Sequence, residues 1–438
     1  MKLATFKGGV HPPERKELTK DSPIQRAPIP EKVVVFMQQH AGAPAKPIVE
    51  AGQKVKTGQI IGEPGGFISA YVHSPVTGTV VEIKKLSNII FGRAVDAVVI
   101  QREGEDDWEL LPHGDFEKFS KDELLENIKK AGIVGLGGAM FPTHVKLNPP
   151  QDKKIDTLII NGAECEPYLT IDHRMMLEKN EEILVGIKIV KKILGVQNVY
   201  IGIEENKKDA IEFLKEKWKG QVIVVPLKTK YPQGAEKQLI YAVTQRKVPR
   251  GGLPMDVGVV VQNVSTMYAI KEAIIDGKPL IERGLTITGE AINKPGNWWV
   301  RIGTPISWII ENLGQGFKNG IENVKILMGG PMMGIPINNI DTPIVKGNNG
   351  ITTLIPEELR GTFCIRCSYC VYVCPMGLQP YLLDLLGKKK RYDEAAQIGL
   401  LDCIECGSCT YICPAKVEHV KTIKLAKKVY RALRGGKK

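Results

Sequence analysis

The sequence predicts a multidomain protein of the α/β plus β class, and three observations predict it. Between residues 154 and 226, apolar strand-like segments alternate with charged helical ones. Residues 33–100 are short valine- and isoleucine-rich segments between glycine turns. Eight of the nine cysteines crowd between Cys364 and Cys413. The 438 residues, 43% hydrophobic and 25% charged, have ordinary globular composition. That length suits roughly two to four domains.

The alternating region is read first. Asp156-Thr-Leu-Ile-Ile160 is a buried strand, and Asn198-Val-Tyr-Ile-Gly-Ile203 is a second. A charged helix over 207–219 and the strand Gln221-Val-Ile-Val-Val225 follow, which fits a parallel sheet. The first strand ends in Asn161-Gly-Ala-Glu164-Cys165-Glu166-Pro167. Ligands bind at the carboxyl ends of strands in such sheets, so these polar residues are candidates for a flavin ring or a nicotinamide ribose. A polar turn with helix-capping acids is the plainer alternative. Upstream lies Gly132-Ile-Val-Gly135-Leu-Gly137-Gly138-Ala-Met140-Phe-Pro142-Thr143. Its glycines allow close backbone approach to a ligand, and the helix start after Pro142 exposes N–H groups to a phosphate. Lys146 lies one turn in. The pattern matches neither a Walker A loop nor G-x-G-x-x-G, and an ordinary glycine turn is the competing reading.

The segments 52–62 and 74–80 look like the two halves of a lipoyl-type barrel-sandwich. A carrier domain needs an exposed lysine at the intervening hairpin, where this chain has Phe67-Ile-Ser-Ala70. The fold is therefore expected without a swinging arm, in a structural or docking role. Leu285-Thr-Ile-Thr-Gly-Glu290 and Trp298-Trp-Val-Arg-Ile-Gly303 read as a hairpin followed by a helix over 307–313. Trp298 and Trp299 are candidates to face a partner, but one of them is expected in a core. His73 and His144 stand alone and are not read as metal ligands.

The cysteine runs are Cys364-Ile-Arg-Cys367-Ser-Tyr-Cys370-Val-Tyr-Val-Cys374-Pro375 and Cys403-Ile-Glu-Cys406-Gly-Ser-Cys409-Thr-Tyr-Ile-Cys413-Pro414. Both are C-x₂-C-x₂-C-x₃-C-P, the run that holds two [4Fe–4S] clusters in bacterial ferredoxins. Three closely spaced thiolates wrap one cubane, and the fourth, one helical turn on, faces the other. The expected sets are crossed: Cys364, Cys367, Cys370 and Cys413 for one cluster, and Cys403, Cys406, Cys409 and Cys374 for the other. Zinc usually takes two C-x₂-C pairs, and disulfides do not suit a chain without an export signal. Two short helices around Gly387 separate the runs and favour a helical ferredoxin-like module.

The formal net charge of +12 overstates the working charge, since thiolate-ligated clusters and a flavin phosphate each bring about −2. No nucleic-acid reader motif accompanies it, so nucleic acid is not an expected partner. No apolar run approaches the ~20 residues of a membrane span. Residues 416–438 carry nine lysines and arginines against one glutamate. Ile423, Leu425, Val429, Tyr430 and Leu433 can form an apolar stripe there. A basic amphipathic helix suits a membrane surface or an acidic partner, and docking on the ferredoxin module is the equal alternative.

Together with the opening Phe6-Lys-Gly-Gly-Val-His11-Pro-Pro13 and Gly329-Gly-Pro-Met-Met-Gly334, these motifs resemble the C subunit of the Rnf complex, a membrane-bound ferredoxin:NAD⁺ oxidoreductase. The middle of the chain also resembles the flavin subunit of respiratory complex I. The resemblance implies a barrel-sandwich N-terminal domain (1–115) and a Rossmann-like FMN/NADH domain (116–280). It also implies an SLBB β-grasp domain (281–355), a two-cluster ferredoxin-like domain (356–415) and a basic tail (416–438). It implies FMN held by Gly135, Gly137, Gly138, Lys146, Asn161, Glu164, Asn263 and Thr266. Glu166 is implied beside the nicotinamide as the catalytic residue, and Glu236 as a further NADH contact. The departures from the complex I subunit are Met140, Ala163, Cys165 and Ala235, where that subunit carries glycine, aspartate, glycine and glutamate. The implied function is electron transfer between NAD(H), through FMN, and two [4Fe–4S] clusters. The implied setting is peripheral, on the cytoplasmic side of the cell membrane, among other members of the complex, with ferredoxin an indirect partner and ion transport the coupled process. An iron–sulfur relay or scaffold subunit without nicotinamide chemistry is the alternative.

Overall fold

The computed structural model describes residues 3–356, 361 and 363–435; Lys437 and Lys438 of the basic tail lie outside them. The expected α/β plus β architecture is borne out. A four-stranded parallel sheet forms its centre, in the spatial order Ile223–Leu227, Asn198–Glu204, Thr157–Asn161, Val259–Asn263. These strands read as continuous apolar runs because both faces are covered. Leu158 and Ile160 pack with the helices Lys121–Lys130, Asn180–Leu194 and Val264–Ile275, while Ile159 and Val261 pack with Glu236–Thr244. From Thr157–Asn161 the chain builds outward in one direction, then returns to add Val259–Asn263 on the other side. The strand order therefore reverses between Asn161 and Asn263, which sit opposite each other in register. Ligands of open α/β sheets bind at such a reversal.

The barrel-sandwich pairs Lys32–Phe36, Arg93–Arg102, Gly78–Asn88 and Lys54–Val55 in one sheet, and Lys46–Pro47, Ile60–Glu63 and Val72–His73 in the other. Val33, Val35, Ile61, Val72, Val80, Val98 and Ile100 close its core. At the hairpin between Ile60–Glu63 and Val72–His73, Phe67 is 86% exposed where a carrier lysine would stand.

The β-grasp unit carries the expected hairpin, Glu282–Gly289 against Gly296–Arg301, followed by the helix Ile306–Asn312. Gly350–Leu354, Lys325–Met328 and Ile335–Ile337 extend its sheet on one side. Ile24–Arg26 completes the other edge, parallel to Asn297, Trp298 and Trp299. Both tryptophans are buried: Trp298 packs among Ile306 and Ile309, and Trp299 lies 5.1 Å from the Tyr268 ring.

In the cysteine module the two runs have the same backbone. Arg366 and Ser368 in the first and Glu405 and Gly407 in the second take left-handed φ, as do Gly377 and Lys416 after the prolines. Short helices Tyr369–Tyr372 and Ser408–Tyr411 carry the third cysteines, Cys370 and Cys409, and Pro380–Lys388 and His419–Gly435 come after. Leu383 and Leu386 pack on Ile423 and Ala426. The basic tail helix is thus docked on the module. Its apolar face is narrower than the predicted stripe: Ile423 is 1% exposed, but Leu425 is 62% and Leu433 59%. No helix among the described residues is long and apolar enough to cross a membrane.

The tightest helix contact in the α/β unit is at Gly186, where a Cβ would lie 1.9 Å from the Met267 carbonyl oxygen. Overpacking of this kind costs about 1–3 kcal/mol. Gly186→Ala is expected to lower the thermal midpoint by several degrees in circular dichroism, while Lys188→Ala on the exposed face of the same helix leaves it unchanged.

Candidate flavin crevice and cysteine module

The crevice is built at the strand reversal. Asn161 donates from Nδ2 to the Gly234 carbonyl at 2.8 Å and accepts the Ala163 N–H at 3.2 Å. Asn263 accepts the Ser265 N–H at 2.9 Å, capping the helix it begins, and donates to Asp172 Oδ2 at 2.7 Å. The glycine loop arches over these ends. The Leu136 N–H donates to Thr266 Oγ1 at 3.0 Å, and Gly135 N–H to the Phe141 carbonyl at 2.9 Å. Gly137 sits against Asn263, where a Cβ would lie 3.5 Å from the Asn263 Cβ. The tip, Gly137 to Ala139, is exposed. Gly138 has φ +103° with open space on its Cβ side, so the loop is not packed shut. Met140, in place of a glycine, keeps the left-handed φ of +50° and buries its side chain against Gly347. Lys146 and Glu236 meet in an ion pair at 2.5 Å.

Several buried polar atoms on the segments that build this crevice have no partner among the described residues: both amide atoms of Gln233, Nε2 of Gln262 and Oγ1 of Thr143. Unpaired buried polar groups are costly and mark places where a polar ligand or water is expected. With an open glycine tip, two strand-end asparagines and a cation one turn into the next helix, the residues fit FMN.

The two acids of the strand end face other segments. Glu164, 2% exposed at its side chain, accepts the Asp172 N–H at 2.7 Å and lies 3.8 Å from Lys16 Nζ. Glu166 accepts the Met332 and Met333 N–H groups at 3.0 and 2.8 Å, pinning the 329–334 turn. Gly330 is required there, because a Cβ would lie 2.4 Å from the Glu166 carboxylate. Burial pushes the Glu166 carboxyl up to about 7, with the two N–H bonds pulling the other way. Burial raises Glu164 as well, with Lys16 opposing. Asp172 is a site residue that the sequence motifs do not reveal. It joins Asn263 Nδ2 and Ser265 Oγ, the latter at 2.8 Å, and so fixes the asparagine's rotamer. Its only signal is a lone acid beginning a helix, which is too common to stand out.

The cysteine sets differ in surroundings. Cys364 and Cys367 are exposed, beside Phe363 at 95% and Tyr372 at 76%. Cys374, Cys403, Cys406 and Cys409 line one small apolar cavity. Among the described residues no three such side chains converge as a single ion requires. Four sulfurs around a cavity, with N–H groups of Leu378 and Glu405 directed at Cys374 Sγ and Cys403 Sγ at 3.4 Å, fit a cluster. Burial lifts the bare Cys403 thiol to about 11 and raises Cys370, Cys374 and Cys409 too. Iron must therefore displace protons as it binds.

This buried set abuts the α/β unit. Tyr231, 1% exposed, donates its hydroxyl to the Cys406 carbonyl at 2.8 Å. Three residues on, the Gly234 N–H meets Cys165 Sγ at 3.2 Å and its carbonyl holds Asn161. One short turn thus touches the crevice on one side and a cysteine loop on the other. Gly8 and Gly9 let the N-terminal segment press on it: both have φ near +90°, and the Gly9 N–H donates to the Val373 carbonyl at 2.8 Å.

Family models match along the chain. The RnfC barrel sandwich hybrid domain matches residues 4–105 and the Nuo51 FMN-binding domain residues 128–272. The SLBB domain matches residues 285–336 and a 4Fe-4S dicluster domain residues 363–417. The chain is 50% identical over 437 residues to the C subunit of the proton-translocating ferredoxin:NAD(+) oxidoreductase complex of Clostridium ljungdahlii, covering 98% of this chain and 95% of that one. It is 46% identical to the Na(+)-translocating counterpart of Acetobacterium woodii, covering 98% and 97%. It is 43% identical to the C subunit of the ion-translocating oxidoreductase complex of Rhodobacter capsulatus, covering 97% and 82%. The chain belongs to the C-subunit (RnfC) family of ion-translocating ferredoxin:NAD(+) oxidoreductase (Rnf) complexes.

Proposed function

We propose that this chain carries electrons between NAD(H), through FMN, and two [4Fe–4S] clusters, as a peripheral subunit on the cytoplasmic side of a membrane-bound Rnf complex. The observation that carries this reading is the 231–234 turn, which contacts both the crevice and the buried cysteine set. Bound FMN supplies the exchange between two-electron hydride transfer and one-electron transfer.

This chain's residues supply the rest. Gly135, Gly137 and Gly138 offer backbone to the ribityl chain and phosphate, and Lys146 offers charge. Asn161, Asn263 and Thr266 orient the ring from the strand ends, with Asp172 locking Asn263. Tyr231 and Cys165 pack in the space toward Cys406. The set of Cys374, Cys403, Cys406 and Cys409 then stands next to the flavin. The set of Cys364, Cys367, Cys370 and Cys413, whose first two cysteines are exposed, faces the partner subunit that exchanges electrons with ferredoxin. Glu236 is free to meet NADH only if Lys146 releases it to engage the phosphate.

The orientation of Glu166 favours a second reading, an iron–sulfur relay without nicotinamide chemistry. Its carboxylate is occupied by the Met332 and Met333 N–H groups. Equilibrium binding separates the two. The anaerobically reconstituted chain, holding about eight irons, is expected to bind NADH and reduce ferricyanide only when FMN is present. FMN bound without NADH binding would leave the relay reading standing.

Cys374→Ser removes one ligand of the inner set. It is expected to lower iron content and to stop NADH from reducing the outer cluster, seen as loss of its electron paramagnetic resonance signal with FMN still bound. Tyr231→Phe keeps the ring and removes one hydrogen bond, a loss of about 1 kcal/mol. It is expected to speed chelator extraction of the inner cluster several-fold while leaving the outer one unchanged.

A further inference from the structure

The barrel-sandwich has no swinging lysine, yet it touches the glycine loop at both stems. At the far stem, the Ala41 N–H donates to the Met140 carbonyl at 3.0 Å. At the near stem the contact runs through a lysine of the β-grasp unit. Lys346 is 1% exposed, and its Nζ donates to the Tyr71 carbonyl of the barrel at 2.8 Å and to the Gly132 carbonyl at 2.7 Å. Its own backbone is fixed from both sides. The Lys346 N–H donates to Gln39 Oε1 of the barrel at 3.1 Å, and its carbonyl accepts from Arg283 at 2.7 Å. The next residue closes the arrangement. A Cβ on Gly347 would lie 2.4 Å from Cγ of Met140, so this glycine lets Met140 seat. Gly132 is equally constrained, with φ +63° and a Cβ position 2.3 Å from the Tyr71 carbonyl oxygen.

A buried ammonium paired with carbonyl oxygens instead of a carboxylate is an expensive device. Nothing in the barrel or β-grasp cores requires it, since both close with apolar side chains. What it does hold is the spacing between the two stems of the loop. The groups around it do not neutralise it. Burial keeps His40 and His73 uncharged, with Lys346 itself lowering both, and Arg283 is cationic.

We propose that the barrel-sandwich is an external clamp on the flavin-phosphate loop and that Lys346 is the positioning residue through which it acts. Resting on the FMN reading above, this gives the armless barrel a role in cofactor binding. It sets the loop's width and places one buried positive charge behind the phosphate-cradling backbone. Burial brings the Lys346 ammonium down to about 7, so it is charged at pH 6.

The test uses the full reconstituted chain at pH 6, with FMN as ligand. Lys346→Met is expected to raise the FMN dissociation constant at least tenfold and to shift the midpoint potential of the residual flavin downward. Iron content and cluster spectra are expected to stay unchanged. Gly347→Ala, which leaves the charge in place and pushes on Met140, is expected to weaken FMN binding without the potential shift, and adding Met140→Gly to it restores binding. FMN affinity and potential unaltered in a folded Lys346→Met chain overturn the proposal. If that variant does not fold, native FMN affinity in Gly347→Ala overturns it instead. A wild-type chain that binds no FMN removes the flavin reading itself, a different outcome from a wild type and variant that bind alike.

Discussion

The structure depends on the side-by-side placement of Asn161 and Asn263 at the ends of two parallel strands. Because the chain reverses its direction of sheet growth between these strands, no connecting helix covers their carboxyl ends. The space above them is then available to the glycine loop on one side and to the 231–234 turn on the other. Each asparagine is committed to a partner from a distant segment, Gly234 for one and Asp172 for the other. The rotamers that shape the crevice are therefore set before any ligand arrives, which lowers the ordering cost of binding.

A ring of buried charge supports this arrangement from below. Lys16 donates to the carbonyls of Glu164, Glu166 and Leu169. Lys207 donates to the Ala163 carbonyl at 2.8 Å and lies 3.6 Å from Glu204. Lys230 donates to the carbonyls of Phe6 and Gly8 and sits 4.0 Å over the Phe6 ring. Each lysine serves carbonyls that no regular strand or helix satisfies. The loop after the central strand is irregular, and these ammonium groups make its backbone tolerable away from regular hydrogen-bond ladders.

Much of this is legible in the residues, for physical reasons that can be named. Strands buried on both faces announce themselves as unbroken apolar runs, as at Leu158 to Ile160. The glycine loop is legible because open backbone conformations need glycine, and Met140 shows the limit, since it takes the same conformation with a side chain attached. The cysteine loops are legible because their turns are set locally. Contact at long range is not legible. Nothing near Glu166 predicts that its oxygens would be taken by Met332 and Met333, and nothing near Ile24 predicts that it would join the β-grasp sheet. In the tail, periodicity alone cannot distinguish the face a helix docks from the face it leaves in water. Leu425 and Leu433 fall on the wrong side of that line.

The cysteine module repeats one backbone motif twice and sets the copies in unlike media. One copy lines an apolar cavity beside Tyr231, and the other borders solvent at Cys364 and Cys367. Adding negative charge is harder in the drier medium, so inorganic centres with the same ligands would not share a redox potential. A duplicated loop thereby acquires a head and a tail: chemically equivalent halves become ordered steps through their dielectric surroundings, with no change of ligand.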